Sequence, residues 1–576
     1  MVTAPRPSGP KRLRGAPRVL SPVLLLGAGT GEATCGILYL ASYLRRHGVE
    51  AFVQLTSDEL GEAEVRRSLR QLLGRVKPKV VGISLKWFHH LARALLLARL
   101  VRDLAPGVRV VLGGNSATFY ARELLGFGDV DDVILGDGEA PLLALCRQVR
   151  DAPNVLSRDA PRAGLSYVQG TANVDVHYSH FDELFLSGLD RASFSGWVAP
   201  GKGCGENCLY CGGTRGMQKA TFGRALPFLR TPESVRLDHQ AIVGGTWQLR
   251  YDFAGSTSAF LEQCWEGVDL SRHATTYFLW GVPPESLMAT LARHFERAHL
   301  VVDIGCFAES QRRTQLEKGL LKPCAMNDQL FAVVSQAKAF PNLDLEITGI
   351  AGLPFATAAS LREETALVER LLSEGCRIGY QRLESQPGAL VTEHPERFGM
   401  VSEARSFHDF LDYFEQLEPG AGTVPMVRYA DPGLEAAVAR TAARVEALIS
   451  AQQRRASAER RRTRAMVQAA PAARDQVALS DWLGPHRVPA KLARAPVTVI
   501  RSVDGLGLAC APTVQGFEDP ALLTDQDAAL LLGVLDAFSQ PARRDAGLAR
   551  LPKGTPKAVA ADALEHLLDG HFVRPV

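Results

Sequence analysis

The sequence predicts an α/β protein of several units. They are a doubly wound parallel sheet over residues 21–150, a second strand-and-helix run over 191–400, and a small winged-helix-like unit over 481–576. Three observations predict this. At 576 residues the chain is too long for one core and suggests about three or four domains. Short apolar runs ending in glycine alternate with helical stretches, the pattern of strands buried on both faces. The alternation lapses after residue 150, resumes near 191 and gives way to helix after 400.

In the first unit, Val23 to Leu26 is an apolar strand ending in Gly27-Ala28-Gly29, and a helix from Gly36 to Arg46 is stopped by His47-Gly48. Strands follow at Ala51 to Leu55, Val80 to Ser84, Val108 to Gly114 and Asp132 to Leu135, the last closed by Gly136-Asp137-Gly138-Glu139. Ligands of such sheets sit at the carboxyl ends of the strands, and here those ends carry the glycines. Gly27-Ala28-Gly29 has the shape of a dinucleotide fingerprint, but no acidic residue ends a second strand to complete it.

Composition narrows the function. Apolar content of 46% and charged content of 22% are ordinary for a soluble protein, and a formal net charge of +3 gives no reason to expect nucleic acid. No window of 18 apolar residues suggests a membrane span. Residues 1–20 are basic and proline-rich without the apolar stretch of a signal peptide, so a disordered arm and a cytoplasmic location are expected. The 10 cysteines should there stay reduced.

The most informative motif is Cys204-Gly-Glu-Asn-Cys208-Leu-Tyr-Cys211. A cubane iron–sulfur cluster takes four cysteine ligands, so three leave one iron open for chemistry. Gly201, Gly203 and Gly205 let the backbone wrap a bulky core, and Gly212-Gly213 follow it. Zinc would need a fourth ligand, usually from a second Cys-x2-Cys pair that the chain lacks, and scattered cysteines without a secretory signal suit disulfides poorly. With Tyr210 before the last cysteine, the spacing resembles the radical S-adenosylmethionine (SAM) enzymes. The resemblance implies a [4Fe-4S] cluster on Cys204, Cys208 and Cys211 whose open iron binds SAM, and reductive cleavage of SAM to a 5′-deoxyadenosyl radical. It also implies an electron donor such as flavodoxin or ferredoxin.

Residues 151–190 read as a connector. Strands are then expected near 194–198, 247–253, 275–280, 300–306, 345–350 and 377–383, a count that resembles the partial (β/α)6 barrel of that family. By the same resemblance Tyr210, Glu309 and Leu353 would contact SAM, and Asp252 with Gly255 would stand in for the element receiving its amino group. Tyr251, Tyr277, Trp280, Tyr380 and Glu384 are expected to face the barrel mouth as lining. Cys306, Cys324 and Cys376 read as small buried residues.

The first unit resembles the cobalamin-binding domain that precedes many radical SAM modules, on Gly36 to Ala41, Val111 to Gly114 and Gly136 to Glu139. The resemblance implies that Ser84, Leu85, Gly113, Gly114, Gly136, Gly138 and Glu139 line a cobalamin site. The Asp-x-His-x-x-Gly motif is absent, and His89-His90 reads as a helix start, so cobalt without a protein imidazole is expected.

Together the two resemblances imply a cobalamin-dependent radical SAM methyltransferase acting on an unactivated carbon of a natural product or peptide. A cobalamin-dependent cyclase or ring-rearranging enzyme without net methyl transfer is the alternative. A non-catalytic sensor or scaffold is the reading from another class. Residues 401–480 read as helix and basic linker, with a docking surface as the minor reading of the arginine run between 454 and 464. Residues 481–576 weakly resemble the leader-binding elements of peptide-modifying relatives.

Overall fold

The computed structural model describes residues 21–28, 34–56, 60–149, 152–159, 176, 195–224, 226–242, 248–251, 257–417 and 424–469, with short strands between 492 and 575. Two sheets organise them. The first contains β1 (Val23–Gly27), β2 (Ala51–Leu55), β3 (Val80–Ser84), β4 (Arg109–Gly113), β5 (Asp132–Ile134) and β6 (Val155–Ser157) in the order β2-β1-β3-β4-β5-β6. The first five are parallel, and order reverses beside β1, the switch point at which such sheets bind ligands. β6 runs antiparallel on the outer edge, within the expected connector. It is held there because Ser157 Oγ and Arg109 both bind Asp132, whose side chain is fully buried.

The second sheet begins with β7 (Ser195–Val198). A small hairpin of β8 (Gly201–Lys202) and β9 (Phe228–Leu229) brackets the cysteine loop. Then follow β10 (Gln248–Tyr251), β11 (Ala274–Trp280), β12 (Arg297–Asp303), β13 (Leu343–Ala351) and β14 (Arg377–Arg382). The order is that of the sequence, β7-β10-β11-β12-β13-β14, and every pairing is parallel. Right-handed crossovers of this kind curl a parallel sheet into an open barrel with helices outside. The apolar runs of β11, β12 and β13 form its core.

The strand pattern also explains which aromatics miss the mouth. Tyr251 and Tyr277 are register partners and both are fully buried towards the helical layer, where Tyr251 meets Trp265 and Phe295. Successive strand residues face opposite sides. Phe278 and Trp280, at odd offsets from Tyr277, therefore face inward, and both line the central cavity. Tyr380 donates its hydroxyl to Glu364 on the helix Ala358–Ser373, and Glu384 forms a β-bridge with Met426.

The arginine run extends one helix, Pro432–Ala469. That helix docks through Arg444 to Glu369 (2.8 Å) and Gln452 to the Leu372 carbonyl (3.1 Å). Further on, Thr498–Arg501 pairs with Gly507–Cys510 as the expected hairpin, and Leu492–Arg494 pairs with Val573–Pro575. The helices expected near 522–538 and 558–568 lie outside the described residues, as does the arm before residue 21.

Candidate functional site

The carboxyl ends of both sheets open onto one cavity of about 650 Å³. The first sheet contributes Ser84, Gly113, Gly114, Gly136, Asp137, Gly138 and Glu139. Ile37 and Leu40 from the first helix, with Val111, Ile134 and Leu142, form an apolar floor. The opposite wall carries Trp197, Lys202, Cys204, Cys211, Arg224, Arg250, Phe278 and Trp280.

Gly114 marks how closely the backbone is drawn in. Its φ is +117°, and a Cβ there would lie 2.6 Å from the Leu85 carbonyl oxygen. Leu85 itself is buried beneath the edge, donating its N–H to the Gly113 carbonyl at 2.7 Å, and it supports the lining from behind. No histidine is among the described residues that line the cavity: His90 is buried, His89 is exposed and meets the His90 ring edge-on, and Phe88 before them packs on Phe410.

Charged residues join the two walls. Lys202, two positions before the first cysteine of the loop, reaches Glu139 at 2.7 Å, and Arg224 reaches Asp137 at 2.7 Å. Deeper in, the Tyr39 hydroxyl donates to Asp238 at 2.7 Å while Arg230 binds the same carboxylate at 2.6 Å. Trp197 and Arg250 are cross-strand partners with the guanidinium 4.3 Å from the indole centroid, and Lys86 from the first unit approaches the same ring at 5.9 Å.

In the cysteine loop two of the sulfurs meet a backbone N–H: Glu206 donates to Cys204 at 3.4 Å and Gly213 donates to Cys211 at 3.2 Å. Such bonds stabilise thiolates and tune iron–sulfur centres. Burial pushes all three thiols up, Cys208 to about 12, so proton loss there has to be driven by a bound metal. Among the described residues no three His, Cys, Asp or Glu side chains converge on one metal-ion position. The N–H donors, the open wall at Cys204 and Cys211, and the glycine edge opposite fit a cluster facing a large flat cofactor.

The remaining expected residues lie as follows. Tyr210 is buried behind the loop, its ring beside Lys322. Glu309 accepts the Asn327 N–H at 2.9 Å and pairs with Arg313, outside the cavity lining. Leu353 is buried, its carbonyl accepting the Tyr429 hydroxyl at 2.6 Å. Asp252 and Gly255 lie outside the described residues. Asp137, Lys202, Arg224 and Lys322 were not singled out from sequence. Only Lys202 carried a local signal, its place at the mouth of the cysteine loop.

Residues 23–146 match the B12 binding domain family. The chain is 28% identical over 197 residues to the hopanoid C-3 methylase of Methylococcus capsulatus, across 31% of this chain and 35% of that protein. It thus spans about a third of that relative's length. The fold resembles that of the radical SAM methyltransferase TsrM from Kitasatospora setae, solved with cobalamin and a [4Fe-4S] cluster. The TM-score is 0.54 at 15% identity, covering 74% of this chain and 90% of that one. A second structure of that protein, with tryptophan substrate and a SAM analog, matches at a TM-score of 0.54, 16% identity, and 74% and 89% coverage. The chain carries a B12-binding domain, and its overall fold is like that of TsrM.

Proposed function

We propose that this chain is a cobalamin-dependent radical SAM enzyme that transfers a methyl group to a small-molecule or peptide substrate. The observation that carries the reading is that the glycine-ended strands and the three-cysteine loop open onto one cavity from opposite walls. When bound, the cluster supplies an electron to SAM and cobalamin carries the methyl group. The chain's own residues position and enclose. Cys204, Cys208 and Cys211 hold the cluster. Ser84, Gly113, Gly114, Gly136 and Gly138 let the corrin approach the strand ends. Lys202–Glu139 and Arg224–Asp137 hold the walls together and keep water from the space between. Phe278, Trp280 and Trp197 offer flat apolar faces to a substrate.

The test is anaerobic reconstitution of the full chain with iron, sulfide and hydroxocobalamin, followed by SAM. About four irons per chain, retained cobalamin, and S-adenosylhomocysteine or 5′-deoxyadenosine as product are expected. The variant with Cys204, Cys208 and Cys211 all changed to Ala should lose the iron and keep the cobalamin. Iron retained in that variant sinks the cluster assignment, and neither product from wild type sinks the enzyme.

A further inference from the structure

Lys322 lies far from the cysteines in sequence, in the loop after the helix Glu309–Glu317, yet the fold sets it against them. The Leu209 N–H donates to the Leu320 carbonyl at 2.9 Å, which ties the loop before Lys322 to the cysteine loop. The side chain is 8% exposed. Its ammonium sits 5.3 Å from the Trp280 centroid and 5.8 Å from that of Tyr210. Asp303, at the end of β12, accepts from it at 2.7 Å and takes the Gly305 N–H on its other oxygen at 2.8 Å. A lysine is seldom buried at this depth unless something holds its charge. One carboxylate satisfies part of that need, and the cysteine loop adjoins the ammonium through Tyr210.

We propose that Lys322 is a fixed counter-ion of the iron–sulfur cluster, a positioned charge that raises the reduction potential without ligating iron. The proposal rests on the cluster reading above. The Leu209–Leu320 hydrogen bond ties the Lys322 loop to the cysteine loop, and the ammonium lies against the ring of Tyr210, the neighbour of Cys211 in the chain. Lys322 thus brings a fixed positive charge to the cysteine loop. Reduction adds one electron from an external donor and makes the cluster more negative, so a buried cation favours the reduced form. The Tyr210 and Trp280 rings keep water out and the field unscreened.

The experiment is potentiometric titration of the reconstituted full chain, without SAM, followed by the electron paramagnetic resonance signal of the reduced cluster. Lys322→Met should lower the ratio of reduced to oxidised cluster at a set potential by tenfold or more, 59 mV for a one-electron couple. Lys322→Arg should stay within about threefold of wild type, because it keeps the charge. Asp303→Asn should move the potential upward, since it removes a negative charge and leaves the ammonium. An assembled Lys322→Met cluster at the wild-type potential overturns the proposal. If that variant holds no iron, Asp303→Asn decides: an upward shift supports the counter-ion, and an unchanged or lower potential overturns it. A wild-type chain that assembles no cluster overturns the cluster reading, and this proposal with it.

Discussion

Gly114 concentrates the constraints on the cobalamin edge in one residue. At φ +117° a side chain is strained whatever the space, and a Cβ would also meet the Leu85 carbonyl. Gly114→Ala should cost about 1–3 kcal/mol and weaken cobalamin retention, read by urea unfolding and by cobalamin absorbance after gel filtration. Glu364 gives a separate residue-scale prediction, in pH. Burial raises its carboxyl to about 7 from 4.5, although the Tyr380 hydroxyl and Arg382 pull the other way. With the folded value above the unfolded one, the unfolded chain loses this proton first. The stability it contributes is full below pH 4.5 and is lost as pH rises towards 7. Unfolding midpoints should fall across that window in wild type and flatten in Glu364→Gln. An unchanged slope in the variant assigns the pH dependence elsewhere.

At the scale of elements, two loops supply the ion pairs that join the walls of the cavity, Gly136 to Glu139 after β5 and the cysteine loop with its flanks. Asp137 and Arg224 are both largely buried, so Asp137→Asn leaves a guanidinium without its carboxylate. Gln218 still accepts from Arg224 at 2.9 Å, which places the cost at about 3 kcal/mol, the lower end for a broken buried pair. Glu139→Gln should cost less, because Lys202 is more exposed and can turn to water. Chemical unfolding of the two variants tests the order, and equal or reversed costs refute it. Most strands were legible because they are short apolar runs, several of them closed by glycine, and the cysteine motif because its ligands are local. β6 was not legible: its three residues show no period, and its place comes from Asp132, a partner in another strand. The orientation of Tyr251 and Tyr277 was lost for a similar reason. Alternation fixes which residues share a face, but only the packed helices decide which face is inside. Lys322 gave no signal at all, since its meaning depends on a barrel closing over many residues.

For the molecule as a whole, the described residues that line the cavity run from Leu25 to Trp280, in the first two units. The helix Pro432–Ala469 docks on the barrel through Arg444 and Gln452. A chain ending after about Arg464, a boundary good to a few residues, keeps those contacts. We expect it to fold, to bind cobalamin and to assemble its cluster. It should also cleave SAM in the absence of substrate at the wild-type rate. Turnover of substrate should fall, because residues 481–576 are proposed to recruit or cover it, and a remote unit acts on chemistry only through binding and positioning. The comparison to make is the ratio of SAM consumed to substrate modified, in full-length and truncated protein at equal cluster content. A raised ratio fits recruitment, with SAM cleavage running uncoupled. An unchanged ratio at full rate removes any recruiting role, and loss of the cluster on truncation makes the last unit part of the folded core.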